Sequence, residues 1–286
     1  MTLCRFVLVW WLFFCLFMTR GEVWRIQQGE DLVRYVYDKW LGKQNIFEVS
    51  RFIDPAGVGV VIKRVWRALD GIIIPGLVER INEADELRRK YGAELDSFMP
   101  RYRYIDLEKQ GLMIVDYMGG EVFAPKHFNL VDDDLNPDQL LSSFKGDLLK
   151  VLDRVEALMA VNLIHGDLSP KNIVIEGEQA YLIDVDGLKC AGTSVGPMEI
   201  YFSTAKYADP SIVCHTSIPA TADVYSIVKI FEDFVCELEH RFADCGWKSG
   251  VSDFVDKAID NNRGVLVMPV NEIRDRIADT GNLVVL

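Results

Sequence analysis

The sequence predicts an α+β protein of two lobes, a small β-rich lobe followed by a larger, mainly helical one. Three observations carry this. Residues 58–65, Val-Gly-Val-Val-Ile-Lys-Arg-Val, have the β-branched composition of a strand, and Asp54-Pro55-Ala56-Gly57 just before them is turn chemistry. Residues 138–160 and 221–236 instead repeat apolar side chains at the spacing of one helix face. Gly119-Gly120 separates the two kinds of pattern. With 286 residues, 50% hydrophobic and 26% charged, the chain has apolar material for one large domain or two small ones.

Residues 1–20 are a hydrophobic N-terminal segment. Phe6 to Met18 is an unbroken apolar run of thirteen residues between Arg5 and Arg20. A spanning helix needs about 20 apolar residues, and no small-x-small cleavage site follows the run. Three readings stay open: a short membrane anchor, a helix packed on the domain, or a translated extension whose working start is Met18. Residues 21–118 make the first lobe. There a strand near 46–53 pairs with 58–65 as a hairpin. A helix over 77–91 uses Leu77, Ile81, Ala84, Leu87 and Tyr91, and strands follow near 101–106 and 111–117.

Residues 119–286 make the second lobe. Asp132-Asp133-Asp134 is a solvated loop. The helix at 138–160 carries Leu140, Phe144, Leu148, Val151, Leu152, Val155, Leu158 and Met159. Short strands at 173–175 and 181–184 flank a turn at Glu176-Gly177-Glu178. The helix at 221–236 places Val224, Ile227, Val228, Phe231, Phe234 and Val235 on one stripe, and weaker helical patterns lie near 251–260 and 270–278.

The net charge of −12 gives no footprint for the phosphate backbone of nucleic acid, and no nucleic-acid partner is expected. The six cysteines, Cys4, Cys15, Cys190, Cys214, Cys236 and Cys245, form no CxxC pair or zinc-finger spacing, so they read as reduced thiols.

The chemistry concentrates at His165-Gly166-Asp167-Leu168-Ser169-Pro170-Lys171-Asn172 and at Asp184. Phosphoryl transfer from ATP needs oxygen ligands for a divalent metal, a cation for the phosphates and a group to align the acceptor hydroxyl. Asp167 and Asn172 lie five residues apart in a loop closed by Pro170. A hairpin through 173–183 brings Asp184 back beside Asn172, so that one acid faces the acceptor while the other acid and the amide face the metal.

The run HGDLSPKN followed by LIDVDG at 182–187 resembles the catalytic loop and metal-binding segment of protein-kinase-like enzymes. The resemblance covers roughly residues 40–236. It implies a bilobal protein-kinase-like fold, ATP and Mg²⁺ as cofactors, Asp167 as catalytic base or orienting carboxylate, and Asn172 and Asp184 as metal ligands. Val60-Val61-Ile62-Lys63 resembles the strand that carries the family's phosphate-positioning lysine, here Lys63. The family also implies a glutamate on the following helix; Glu83 borders the apolar stripe and is chosen over Glu86. Met113 to Met118 resembles the strand and hinge that bind adenine through backbone groups, with Asp116 and Met118 as the contact positions. Tyr207-Ala208-Asp209-Pro210-Ser211 sits where protein kinases close their activation loop. Ala222-Asp223-Val224-Tyr225-Ser226 resembles the start of their large buried helix, with Asp223 implied to brace the catalytic loop.

The departures bear on the acceptor. No glycine-rich phosphate loop is recognisable; Gly42-Lys43-Gln44-Asn45 is the place for a reduced one, since Gly57 and Gly59 stand too close to Lys63. Gly166 replaces the arginine that pairs with a phosphorylated activation loop, which implies activity without that switch. Ser169 takes the place of a phosphate-contacting lysine, and Lys171 is its catalytic substitute. Asp186 follows Asp184 where glycine is usual. HGD and that second acid are shared with RIO-type, lipopolysaccharide-core and antibiotic or choline kinases. The expectation is a kinase acting on Ser/Thr hydroxyls of a protein, with a small-molecule or lipopolysaccharide-core sugar kinase and a catalytically silent scaffold as alternatives. A need for cytosolic ATP places it in the cytoplasm, with residues 6–18 as a tether to the cytosolic face of a membrane.

Overall fold

The computed structural model describes residues 21–44, 47–65, 74–128, 136–194, 204–210, 217–242, 248–260 and 265–280. The apolar run 6–18, the Asp132–Asp134 loop, Ser211 and Cys4, Cys15, Cys214 and Cys245 lie outside them. No helix among the described residues is long and apolar enough to cross a membrane. Two compact units form, Met1–Val78 with Arg101–Tyr117 and Glu79–Pro100 with Met118–Leu286.

The first unit is built on one antiparallel sheet with strands in the order β1-β2-β3-β4-β6-β5. The strands are β1 (Val23–Gln28), β2 (Asp31–Gln44), β3 (Phe47–Ile53), β4 (Gly59–Val65), β5 (Tyr102–Asp106) and β6 (Leu112–Asp116). The β3–β4 hairpin expected from the sequence is present, with Ile53 opposite Gly59 and Val49 opposite Lys63. Its turn is organised by Asp54, whose Oδ1 accepts from Ala56 N at 2.9 Å and Val58 N at 2.8 Å. One sheet face gathers Ile26, Tyr35, Tyr37, Phe52, Val60, Ile62, Leu112 and Ile114. Each such side chain, fully buried, contributes about 1.5–3 kcal/mol.

The strands β1 and β2 have no counterpart in the sequence reading. β1 is an edge strand with only Ile26 buried, and β2 breaks its own alternation through register shifts between Tyr37 and Lys39 and between Trp40 and Gly42. Gly42-Lys43-Gln44 is the end of β2 rather than a loop, and the turn to β3, at 45–46, lies outside the described residues.

The division between the units falls inside helix α1 (Ile74–Lys90), after Val78. Residues 79–100, assigned by sequence to the first lobe, group with the second unit for a physical reason. The guanidinium of Arg88, buried on α1, donates to the carbonyls of Met99 at 2.7 Å and Pro100 at 3.1 Å and pairs with Asp96 at 2.9 Å. Phe98 O then accepts from Leu182 N at 2.9 Å, joining this segment to the strands of the second unit.

That unit contains a short helix α2 (Gly92–Leu95), the strand β7 (Glu121–Val122), and helices α3 (Phe123–Phe128) and α4 (Pro137–Ala160). Strands β8 (Leu163–Ile164), β9 (Ile173–Glu176), β10 (Gln179–Leu182) and β11 (Lys189–Cys190) follow. Helices α5 (Ala222–Arg241), α6 (Lys248–Ala258) and α7 (Val270–Asp279) complete it, with β12 (Ile259–Asp260) pairing β13 (Val265–Leu266) between the last two. Asn136 caps α4, accepting from Asp138 N and Gln139 N, with Pro137 in the first turn where its missing N–H costs nothing. The buried stripe of α4 runs through Leu141 rather than Leu140 and includes Asp147. α4 packs on α5 through Phe144 and Phe234, whose rings stack 3.7 Å apart at 4°. All six apolar residues expected on the stripe of α5 are buried.

Candidate active site

The catalytic-looking loop leaves β8 at Ile164 and is fixed by its backbone. Asp223, 1% exposed in the first turn of α5, accepts from His165 N at 2.6 Å and Gly166 N at 3.1 Å. This is the bracing role implied for it. Burial pushes its carboxyl up, against the two N–H groups that favour the charged form. The His165 ring, fully buried, ties the loop to the segment before Asp184: Nε2 lies 2.9 Å from Ile183 O, and Nδ1 accepts from Asp167 N at 3.4 Å. Those partners call for the Nε2–H tautomer.

Pro170–Asn172 forms a 3₁₀ turn, and Asn172 Nδ2 reaches back to Asp167 O at 2.8 Å and Oδ2 at 3.2 Å. The β9–β10 hairpin then returns the chain, with Leu182 opposite Ile173. Ile183 N donates to Asn172 O at 2.9 Å, so Asp184 follows a residue bonded directly to Asn172. Asp167, Asn172 and Asp184 are thereby brought together. Lys171 is exposed on the same 3₁₀ turn, and Ser169 beside it is buried.

Asp184 has φ 63 and ψ 53, a left-handed conformation uncommon for a residue with a side chain. The turn after it, Val185–Gly187, backs onto the catalytic loop. Gly166 has φ +79, and a Cβ there would stand 2.6 Å from Gly187 O. A Cβ on Gly187 would stand 2.7 Å from His165 O. Glycine is thus required on both sides of one backbone contact, and no side chain, arginine included, fits at position 166.

Burial pushes the Asp167 carboxyl up to about 6, and the negative charge of Asp184 adds to the rise. Thr204, which the sequence reading missed, donates its backbone N–H to Asp167 Oδ1 at 2.6 Å. A main-chain donor 37 residues away leaves no side-chain signature to find.

No cluster of three or more His, Cys, Asp or Glu suited to a metal occurs among the described residues. The donors at the loop are the amide oxygen of Asn172 and the carboxylate of Asp184, hard oxygens of the type that Mg²⁺ takes. Two carboxylates repelling each other in a partly buried site also favour a cation. The donor set therefore fits the metal implied by the sequence.

In the first unit, Lys63 is 5% exposed on β4, with Val49 and Met113 as its cross-strand neighbours and its Nζ 5.8 Å from the centre of the Phe47 ring. It lies on the face opposite Val60 and Ile62. The Asp116 side chain is committed to structure: Arg103 Nε donates to it at 2.5 Å and Arg103 Nη1 to Asp54 at 2.6 Å, while Asp116 N donates to Arg101 O at 3.0 Å. The Arg51 guanidinium stacks 4.2 Å over Tyr117. In the second unit Met118 is half-buried, and Glu83 is exposed, as is Glu86. Glu83 does not take the inward orientation expected of it from the sequence. The buried stripe of α1 is Leu77, Ile81, Ala84 and Arg88, and position 83 lies off it.

The family model described as the RIO domain matches residues 129–187, a span that contains the catalytic loop and Asp184. A comparison with curated proteins finds no significant match. Among solved structures, the chain is similar to vaccinia related kinase 3, with 11% identity, a TM-score of 0.54 and coverage of 93% of this chain and 92% of the other. It is also similar to the PknI kinase domain of Mycobacterium tuberculosis, with 14% identity, a TM-score of 0.54 and coverage of 92% and 99%. At such identities the likeness speaks for fold, here the two-lobed α+β kinase fold with a curled antiparallel first sheet. The fold is thus that of the protein kinases, and the segment that carries the catalytic loop and Asp184 matches the RIO domain.

Proposed function

We propose that the chain is a Mg²⁺- and ATP-dependent kinase that transfers the γ-phosphoryl group to a serine or threonine hydroxyl of a protein. The observation that carries this reading is the joining of Asp167, Asn172 and Asp184 by the Asn172 side-chain bonds and the Ile183–Asn172 backbone bond. Asp167 aligns the acceptor hydroxyl and takes its proton as the new O–P bond forms and the bond from the γ-phosphorus to the departing ADP oxygen breaks. Asn172 and Asp184 would hold Mg²⁺, which would supply positive charge to offset the charge that develops on the transferring phosphoryl group. Lys63 positions the phosphates from β4, and the exposed Lys171 adds a cation from the side of the 3₁₀ turn.

Adenine recognition falls to the backbone of Met118 and the carbonyl of Asp116, because Asp116 N and its carboxylate are already engaged. The Thr204 N–H on Asp167 supports a polypeptide acceptor, since a main-chain N–H already meets the aligning carboxylate there. Gly166 favours the second reading, a small-molecule or sugar acceptor, because its backbone contact leaves no room for the arginine of phosphorylation-switched protein kinases.

The test is thermal and chemical together. The melting temperature should rise with ATP only when Mg²⁺ is present, and ADP should form when a protein acceptor mixture is added. Nucleotide-independent melting would sink the kinase reading. ADP formation with sugars and not proteins would move the acceptor to the second reading.

A further inference from the structure

Helix α1 sends a side chain into the turn that follows Asp184. Arg80, half-buried, donates Nε–H to Asp186 O at 2.7 Å. Nη2 of the same guanidinium lies 3.2 Å from the point where a Cβ on Gly187 would stand, a point only 2.7 Å from His165 O. Arg80, the Gly187 backbone and the catalytic loop therefore converge on one spot. A side chain at 187 would separate them.

This convergence bears on Asp184. On its N-terminal side, Ile183 is fixed by its N–H on Asn172 O and by its carbonyl on His165 Nε2. On its C-terminal side the backbone turns through Val185, 1% exposed, with Leu188 N on Val185 O at 3.0 Å, and Arg80 grips the turn at Asp186. A left-handed residue with a side chain persists only where its surroundings impose that conformation. We propose that Arg80 is a positioning residue: by holding the 186–187 backbone against the catalytic loop, it keeps Asp184 left-handed with its carboxylate presented to the divalent cation. This rests on the kinase reading above. The planar fork of arginine suits the role, since Nε bonds the carbonyl while Nη2 stands beside Gly187; lysine has the charge without the fork.

The experiment is a Mg²⁺ titration at fixed, saturating ATP, read as thermal stabilisation of the full chain. Wild type, Arg80→Met, Arg80→Lys and Asp184→Asn are compared, with the ligand-free melting temperature of each as control. Loss of a residue that orients a metal ligand typically weakens metal binding by about 10–100-fold. Arg80→Met should therefore raise the Mg²⁺ midpoint at least roughly tenfold, while its ligand-free melting temperature stays near that of wild type, and Arg80→Lys should fall between the two. Asp184→Asn should abolish the Mg²⁺ dependence. A midpoint for Arg80→Met equal to that of wild type would overturn the proposal. If Arg80→Met does not fold, Arg80→Lys decides: a raised midpoint supports the assignment and an unchanged one overturns it. A wild type that ATP and Mg²⁺ do not stabilise would instead bring down the kinase reading, and this assignment with it.

Discussion

Asp147 and Asp167 are carboxylates of the same unit, and their surroundings move them in opposite directions. Asp147, 5% exposed on α4, accepts from Lys126 at 2.7 Å, lies 2.9 Å from His127 Nε2 and accepts from Lys150 at 3.1 Å. Burial alone would raise it, but these hydrogen bonds prevail and hold its carboxyl well below the usual range. Asp167 meets a backbone N–H and an amide, with a second carboxylate nearby, and rises to about 6. On the proposed kinase reading, the difference separates a structural acid from a chemical one. Where cations of the chain saturate a buried carboxylate, it serves stability; where neutral donors leave it poorly compensated, it is poised for a cation and a proton supplied from outside.

The comparison breaks most readily at Asp167. Asp167→Asn should cut phosphoryl transfer by about 10²–10⁴-fold, the usual worth of a positioned acid or base. Because that carboxylate is poorly compensated where it lies, the variant should melt at the wild-type temperature or above it. A variant that is inactive only because it unfolds would make Asp167 a structural acid like Asp147.

Asp147→Asn should do the reverse. It leaves Lys126 and Lys150 facing a neutral amide and should cost roughly 3 kcal/mol of stability, as loss of one partner of a buried charge cluster does, with turnover per folded molecule retained. The sign of the pH dependence follows. The Asp147 pKa is lower folded than unfolded, so its stabilisation is complete above the unfolded value of about 3.9 and is lost as pH falls through that value toward the folded one. Wild type should therefore lose stability below about pH 4 more steeply than Asp147→Asn, as urea melts at stepped pH would show.

Gly166→Ala sharpens the comparison from the backbone side. A positive φ and a 2.6 Å approach to Gly187 O should together cost about 2 kcal/mol in chemical denaturation. Glu83→Gln should change turnover by less than about twofold, since the side chain is exposed.

What the sequence disclosed follows the same line. The loop 165–172 and the return of the chain to Asp184 were legible, because each is set by close spacing or by a turn that few residue types can make, whereas the bracing role of Asp223 was implied by the resemblance alone. The β3–β4 hairpin was legible for the same reason. Arg88 was not: the carbonyls of Met99 and Pro100 and the carboxylate of Asp96, which compensate its burial, lie beyond the end of α1. Asp147 was not legible either, because its partners Lys126 and His127 lie 21 and 20 residues away in sequence. Glu83 shows the converse, since a position bordering a stripe turns outward when the stripe itself ends on a buried arginine. Local geometry is written in local residues, while charge compensation depends on partners that only folding selects.

The central claim is that Asp167 aligns a hydroxyl for phosphoryl transfer. Its most direct test is incubation of wild type and Asp167→Asn with γ-labelled ATP, Mg²⁺ and a protein acceptor mixture, followed by acid treatment. Wild type should place acid-stable label on serine or threonine, and the variant should lose at least about a hundredfold of it. Equal labelling by the two proteins would contradict the claim.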